Sequence, residues 1–96
     1  MPAEVDDAFY ERADAHINLS NDQMEGATRG KVSASMLYSA SRFNAWVSAC
    51  GFESGKQMLE ARAEAIEYFT AEYKKMLTEN LDDYIEHFEK YMKPSH

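Results

Sequence analysis

The side chains best suited to chemistry in this chain are few and scattered. Gly26-Ala27-Thr28-Arg29-Gly30-Lys31-Val32-Ser33 superficially has the look of a phosphate loop. The spacing fails: three residues instead of four separate the glycines, valine follows the lysine, and no strand-like segment precedes it. What survives is a helix start, where free N–H groups beside Arg29, Gly30 and Lys31 can hold a small anion. The competing use of the two cations is pairing with acids of the neighbouring helices, which outnumber them.

His16 falls on an apolar stripe and is expected as a half-buried imidazole, hydrogen-bonded to a serine or carbonyl of the second helix. A ligand or proton-relay role is the alternative. Arg42 is expected to pack its stem between Tyr38 and Trp46 and to carry its guanidinium to a carboxylate, with ligand or partner recognition as the alternative. Asp83 and His87 lie one helical turn apart with Glu86 beside them. No Glu-x-x-His occurs anywhere, so the di-iron bundle pattern is missing and a surface ion pair is expected. Neither a metal site nor a cofactor is predicted. Cys50 is the one cysteine, so no disulfide forms within a single chain. Its place near a helix C-terminus disfavours a thiolate, and it is expected as a small core residue. No nucleophile is set beside a base and an orienting group, so no enzyme is expected.

These residues depend for their placement on a pattern that is helical throughout. Residues 30–51 carry Lys31 and Arg42 as their only charges, and all 17 acids of the chain lie elsewhere. Val32, Met36, Ala40, Phe43, Val47 and Cys50 recur by threes and fours, a strong helical period. The other side holds small residues, Ala34, Ser41, Ala45, Ser48 and Ala49, around Tyr38. Bulk on one side and room for close approach on the other predict a helix enclosed by neighbours on two sides. Serine hydroxyls there can bond the carbonyls of the preceding turn.

A first helix is predicted over 6–24, capped by Asp6 or Asp7, with Phe9, Ala13, His16, Ser20 and Met24 on its inner stripe. Thr28 or a nearby backbone group is placed to cap the second helix, over 30–50, and Gly51 to end it in a left-handed conformation. Ser54 is placed to cap the third. From Gln57 to Lys93 there is neither Gly nor Pro. A stripe of Leu59, Ala63, Ile66, Thr70, Tyr73, Leu77, Leu81, Tyr84, Phe88 and Tyr91 runs through it, with one extra step between Leu77 and Leu81. One long third helix over 55–92 is expected, kinked or locally rewound near Asn80; a break there, giving a fourth helix, is the alternative. Tyr68 sits opposite the stripe on a charged face.

Length turns this into an expectation about association. A helix of about 37 residues spans ~55 Å, and the first two are nearer ~30 Å. Tyr84, Phe88 and Tyr91 would overhang, and rings repeated on an open face are unfavourable on a soluble monomer. They must fold back or meet another chain, so a homo-oligomer is expected, a dimer first, with an unknown protein partner as a further possibility.

Ninety-six residues suffice for one modest core, so one all-α domain is predicted, a small three-helix bundle with 1–5 and 93–96 flexible. The net charge of −7 argues against nucleic acid and against an anionic membrane surface. The start lacks the basic and apolar regions of a signal peptide, and no apolar run reaches the ~20 residues of a membrane span. A cytoplasmic setting is expected.

Arg29-Gly30-Lys31-Val32-Ser33-Ala34-Ser35, Arg42-Phe43-Asn44-Ala45 and Asn80-Leu81-Asp82-Asp83-Tyr84 resemble a small bacterial family known only as a domain of unknown function. The resemblance runs from Phe9-Tyr10 to about Tyr91. It implies a compact helical bacterial protein in the cytoplasm, and no activity, substrate or catalytic residue comes with it. Self-association or protein–protein interaction without catalysis is the leading reading of function. A small-ligand or anion-binding module at the start of the second helix is its alternative.

Overall fold

The computed structural model describes residues 6–93, and helix is the only regular secondary structure among them. In chain order the elements are α1 (Phe9–Gln23), α2 (Arg29–Ala49), α3 (Gly55–Glu60), α4 (Arg62–Glu86) and α5 (Phe88–Met92). The all-α class expected from the periodicity is therefore what the chain adopts. Residue contacts divide it into two compact units, with the division inside α2, between Ala45 and Trp46. The flexibility expected of 1–5 and 93–96 lies, Lys93 apart, outside the described residues.

In the first unit, α1 starts later than expected. Its N-cap is Ala8, which offers no side-chain bond. Asp6 does not cap because its carboxylate is turned to Arg12 (3.4 Å) and its carbonyl accepts from the Phe9 N–H (3.0 Å). The helix closes on three successive short-range bonds, from the N–H groups of Met24, Glu25 and Gly26 to the carbonyls of Asn21, Asp22 and Gln23. Each spans three residues, a tightening common at helix ends. Thr28 then caps α2 as its position predicts: Oγ1 accepts from the Lys31 N–H at 3.3 Å. Across this turn the Ser20 hydroxyl donates to the Met36 sulfur at 3.6 Å. Phe9, Ala13 and Ser20 are half-buried, the inner stripe expected of α1, but His16 and Met24 on the same stripe are exposed.

Within each unit taken by itself, the enclosure predicted for α2 is not seen. Val32, 6% exposed, is its one buried residue, whereas Phe43 is 62% exposed. Ala34, Ser41, Ala45 and Ala49 are exposed as well, and so is Cys50, which is not a core residue. The Ser41 hydroxyl does turn back as predicted, to the Tyr38 carbonyl (2.8 Å), and Ser35, outside the predicted stripe, does the same to the Lys31 carbonyl (3.0 Å). Those polar groups are satisfied without any neighbour, and a helix whose serines bond themselves does not require a cover.

In the second unit, Gly51 does not take a left-handed conformation; no described glycine does. The chain leaves α2 by bonds from Gly51 N–H to the Ser48 carbonyl and from Phe52 N–H to the Ala49 carbonyl, both 3.1 Å. This tight exit satisfies the last carbonyls and removes the need for a left-handed residue. Ser54 caps α3 in extended conformation, accepting from the Gln57 N–H at 3.2 Å. Gln57 returns the favour through Oε1, which accepts from the Glu53 N–H at 2.9 Å.

The stretch predicted as one long helix is interrupted twice, at Ala61 and His87, and runs unbroken through Asn80. Asn80 fails to cap because its Nδ2 donates backward to the Met76 carbonyl (2.9 Å). Its polar group is thereby used within the preceding turn. At Ala61 local propensity gives no reason for the interruption. At His87 the side chain supplies one, described below. The shielded side of α4 is also displaced from the predicted stripe. Met58, Ala61, Ala65, Tyr68, Phe69 and Glu72 are half-buried, whereas Leu59, Ile66 and Tyr73 are exposed. Most of that set lies one residue earlier than the predicted stripe, about 100° around the axis. Tyr68, expected on the charged face, stands edge-on to Phe69 at 5.1 Å between ring centres.

Candidate functional site

The densest polar constellation is at the α4–α5 junction. Asp83, in the last turn of α4, uses both carboxylate oxygens. Oδ1 meets His87 Nδ1 at 3.1 Å, and Oδ2 accepts from the Tyr91 hydroxyl at 3.0 Å. His87 interrupts the helix at φ −112°, ψ 30°, and its own N–H still donates to the Asp83 carbonyl at 2.9 Å. The chain thereby turns just enough for Tyr91 to return over α4, where its ring lies 4.8 Å from that of Tyr84. One carboxylate holds residues four and eight positions onward.

Electrostatics follow from the same geometry. Donation to the Asp83 carboxylate raises the Tyr91 hydroxyl above its ordinary value of 10.0, with desolvation and the nearby Asp83 and Tyr84 charges adding to it. A carboxylate near a helix C-terminus faces the unfavourable end of the dipole. Two donors offset that here. The ion pair expected between Asp83 and His87 is thus present as a contact, and no group of three metal-ligating side chains occurs among the described residues. The constellation fixes a phenol and an imidazole on one carboxylate, and so clasps α5 to the end of α4. Tyr91's bond to Asp83 was legible in principle, since 83, 87 and 91 share one face by successive steps of four.

The other predicted residues are not brought together. Arg29, Gly30 and Lys31 open α2, with the Lys31 N–H already taken by Thr28. Gly30 has open space where a side chain would begin. Arg42 lies twelve residues beyond Gly30 on the same helix, a rise of about 18 Å, so the two cannot line one small site. Arg29, Lys31 and Arg42 are exposed, and none forms an ion pair among the described residues. The pairing predicted for these cations is not seen among the described residues. His16 is exposed and lacks the hydrogen bond expected of it among the described residues.

The aromatic overhang resolves in part by folding back. Tyr91 turns onto Tyr84, and Lys90 and Lys93 approach the rings of Tyr91 (5.9 Å) and Phe88 (6.0 Å). Yet Tyr84 remains 50% and Phe88 48% exposed. Upstream on α4, Leu77 and Leu81 are exposed too. No described helix is long and apolar enough to cross a membrane.

The described residues define a small helical protein. The chain belongs to the family described as Protein of unknown function (DUF3144), whose model matches residues 9–85. It is also similar to a solved structure, the NMR structure of the protein NB7890A from Shewanella sp. That protein is 36% identical over 98% of this chain and 100% of its own, with a TM-score of 0.76. No curated protein matches. The bacterial family of unknown function expected from the three sequence motifs is the one found.

Proposed function

We propose that this protein is a non-catalytic helical protein that acts by self-association, a dimer being the simplest form, or by binding another protein. The observation that supports this is exposure of apolar side chains on a scale unusual for a monomer. Phe43 and Trp46 on α2, and Leu81, Tyr84 and Ile85 on α4, are each half exposed or more. Surface of that kind marks sites of association. Sedimentation equilibrium over a wide concentration range tests it: a mass above the 11.0 kDa of one chain is expected. A single-chain mass throughout defeats self-association.

Anion binding at the start of α2 has one observation in its favour, the absence of ion-pair partners for Arg29 and Lys31 among the described residues. Isothermal titration with phosphate and small carboxylates tests it, and absence of heat across the set ends it. A cytoplasmic setting, without nucleic-acid or membrane partners, completes the proposal and rests on the acidic balance of the chain.

A further inference from the structure

Nothing in the local sequence calls for a bend at the end of α4. From Gln57 to Lys93 there is neither Gly nor Pro. Helical bonds continue on both sides of His87: its N–H donates to the Asp83 carbonyl at 2.9 Å, and its carbonyl accepts from the Tyr91 N–H at 3.1 Å. The departure lies in the dihedrals of His87, φ −112° and ψ 30°, against about −63° and −42° in a helix. A bend centred on one residue, with no breaker beside it, is held by side-chain contacts that override propensity.

Those contacts run through one side chain of α5. The Tyr91 hydroxyl donates to Asp83 Oδ2 at 3.0 Å, and its ring lies 4.8 Å from that of Tyr84. The remaining ion pair and cation–ring contacts of α5 stay inside the segment and travel with it. Lys93 pairs with Glu89, and Lys90 and Lys93 lie over the rings of Tyr91 and Phe88. The His87–Asp83 contact spans four residues, a separation that a straight helix brings together as readily. The Tyr91 bond spans eight, which a straight helix sets about 12 Å apart along its axis. It is the contact that needs the bend.

We propose that His87 is a one-residue hinge and the Tyr91–Asp83 bond its latch. Latched, α5 is turned back and Tyr91 rests on Tyr84. Released, α5 swings into line with α4 as the last turn of one helix, kept by its own helical bonds alone. The swing changes what the end of α4 presents. In line, Leu77, Leu81, Tyr84, Phe88 and Tyr91 follow one another by fours and threes along a single face. Latched, that row stops short, with Tyr91 drawn onto Tyr84. The latch is one bond to a charged acceptor, so removal of a single hydroxyl releases it. The hinge goes beyond self-association: it belongs to one chain and stands whether or not copies associate.

Two variants test it. Tyr91→Phe removes the hydroxyl and keeps the ring; Asp83→Ala removes the acceptor. Neither side chain is buried, so helical content by circular dichroism is expected to hold. Residual dipolar couplings of the backbone N–H groups read the angle between α4 and α5. In the unmodified chain the two axes should stand at a clear angle. In both variants they should come close to parallel, and cross-relaxation between the Tyr84 ring and the ring at position 91 (measured in Asp83→Ala and in Tyr91→Phe) should be lost. Axes that keep their angle in the variants overturn the latch. Couplings of 88–92 that collapse towards zero show α5 melting instead of swinging, and overturn the hinge. Axes already parallel in the unmodified chain overturn both. A failure of self-association appears only in sedimentation and touches none of these outcomes.

Discussion

The α4–α5 junction and α2 treat their side chains in opposite ways. At the junction one carboxylate gathers an imidazole and a phenol, and the rings of Tyr84 and Tyr91 close over it. Along α2 the hydroxyls of Ser35 and Ser41 bond carbonyls of their own helix, and Arg42 reaches no carboxylate among the described residues. The junction is finished within one chain. The flank of α2 is not, and a surface left with cations and large apolar groups is one prepared for a partner. Completeness of local polar contacts, more than hydrophobicity, separates the part that holds itself from the part that awaits another chain.

The sharpest way to break the comparison is Leu81→Glu. Leu81 is 53% exposed in the single chain, so helix content should barely change. If the residue is covered on association, about 1.5–3 kcal/mol of burial disappears, and the dissociation constant measured by light scattering should rise more than tenfold. An unchanged constant would put the distal face of α4 outside any interface. Next in size is Ser54→Ala, which removes the cap of α3. About 1 kcal/mol of stability should be lost, a fall in Tm of roughly 4–8 °C for a chain of this length.

Asp83→Ala probes the closed side. Both bonds to His87 and Tyr91 go at once, so amides of 88–93 should exchange severalfold faster while those of α2 keep their rates. The pH dependence has a definite sign. Tyr91 is raised in the folded chain, so its contribution is full below 10.0 and is lost as pH climbs through the raised folded value. Phenol absorbance should therefore titrate at higher pH in the unmodified chain than in Asp83→Ala. The smallest effect is expected from Gly51→Ala. An added Cβ would lie 3.5 Å from the Ser48 carbonyl oxygen, ordinary contact, and the backbone there is not left-handed. Thermal melting should show no loss, or a gain of about 0.4–1 kcal/mol from a stiffer unfolded chain.

What could be read from sequence, and what could not, divides along a physical line. Thr28 and Ser54 were legible as caps because their bonds are local, within three residues. The return of Ser41 to its own helix was legible for the same reason. The enclosure of α2 was not. Two apolar or small-residue stripes say that covering is favourable, without saying that this chain supplies the cover. Asn80 misled because a side chain that can cap forward can equally bond backward, and Met76 offered the carbonyl. The rotation of the shielded side of α4 escaped because Ala65, Tyr68 and Phe69 make a second helical stripe beside the first. Of the residues predicted to act, only Tyr84 and Tyr91 meet. Arg29, Lys31 and Arg42 share a helix but not a site, and their common feature is a charge with no ion pair among the described residues.

Cys50 is the one thiol of the chain, it is open to solvent, and it sits at the foot of α2. A nitroxide attached there labels each protomer once, at a point fixed to α2. Any dimer then yields a single spin–spin separation by pulsed resonance, without altering a single contact residue.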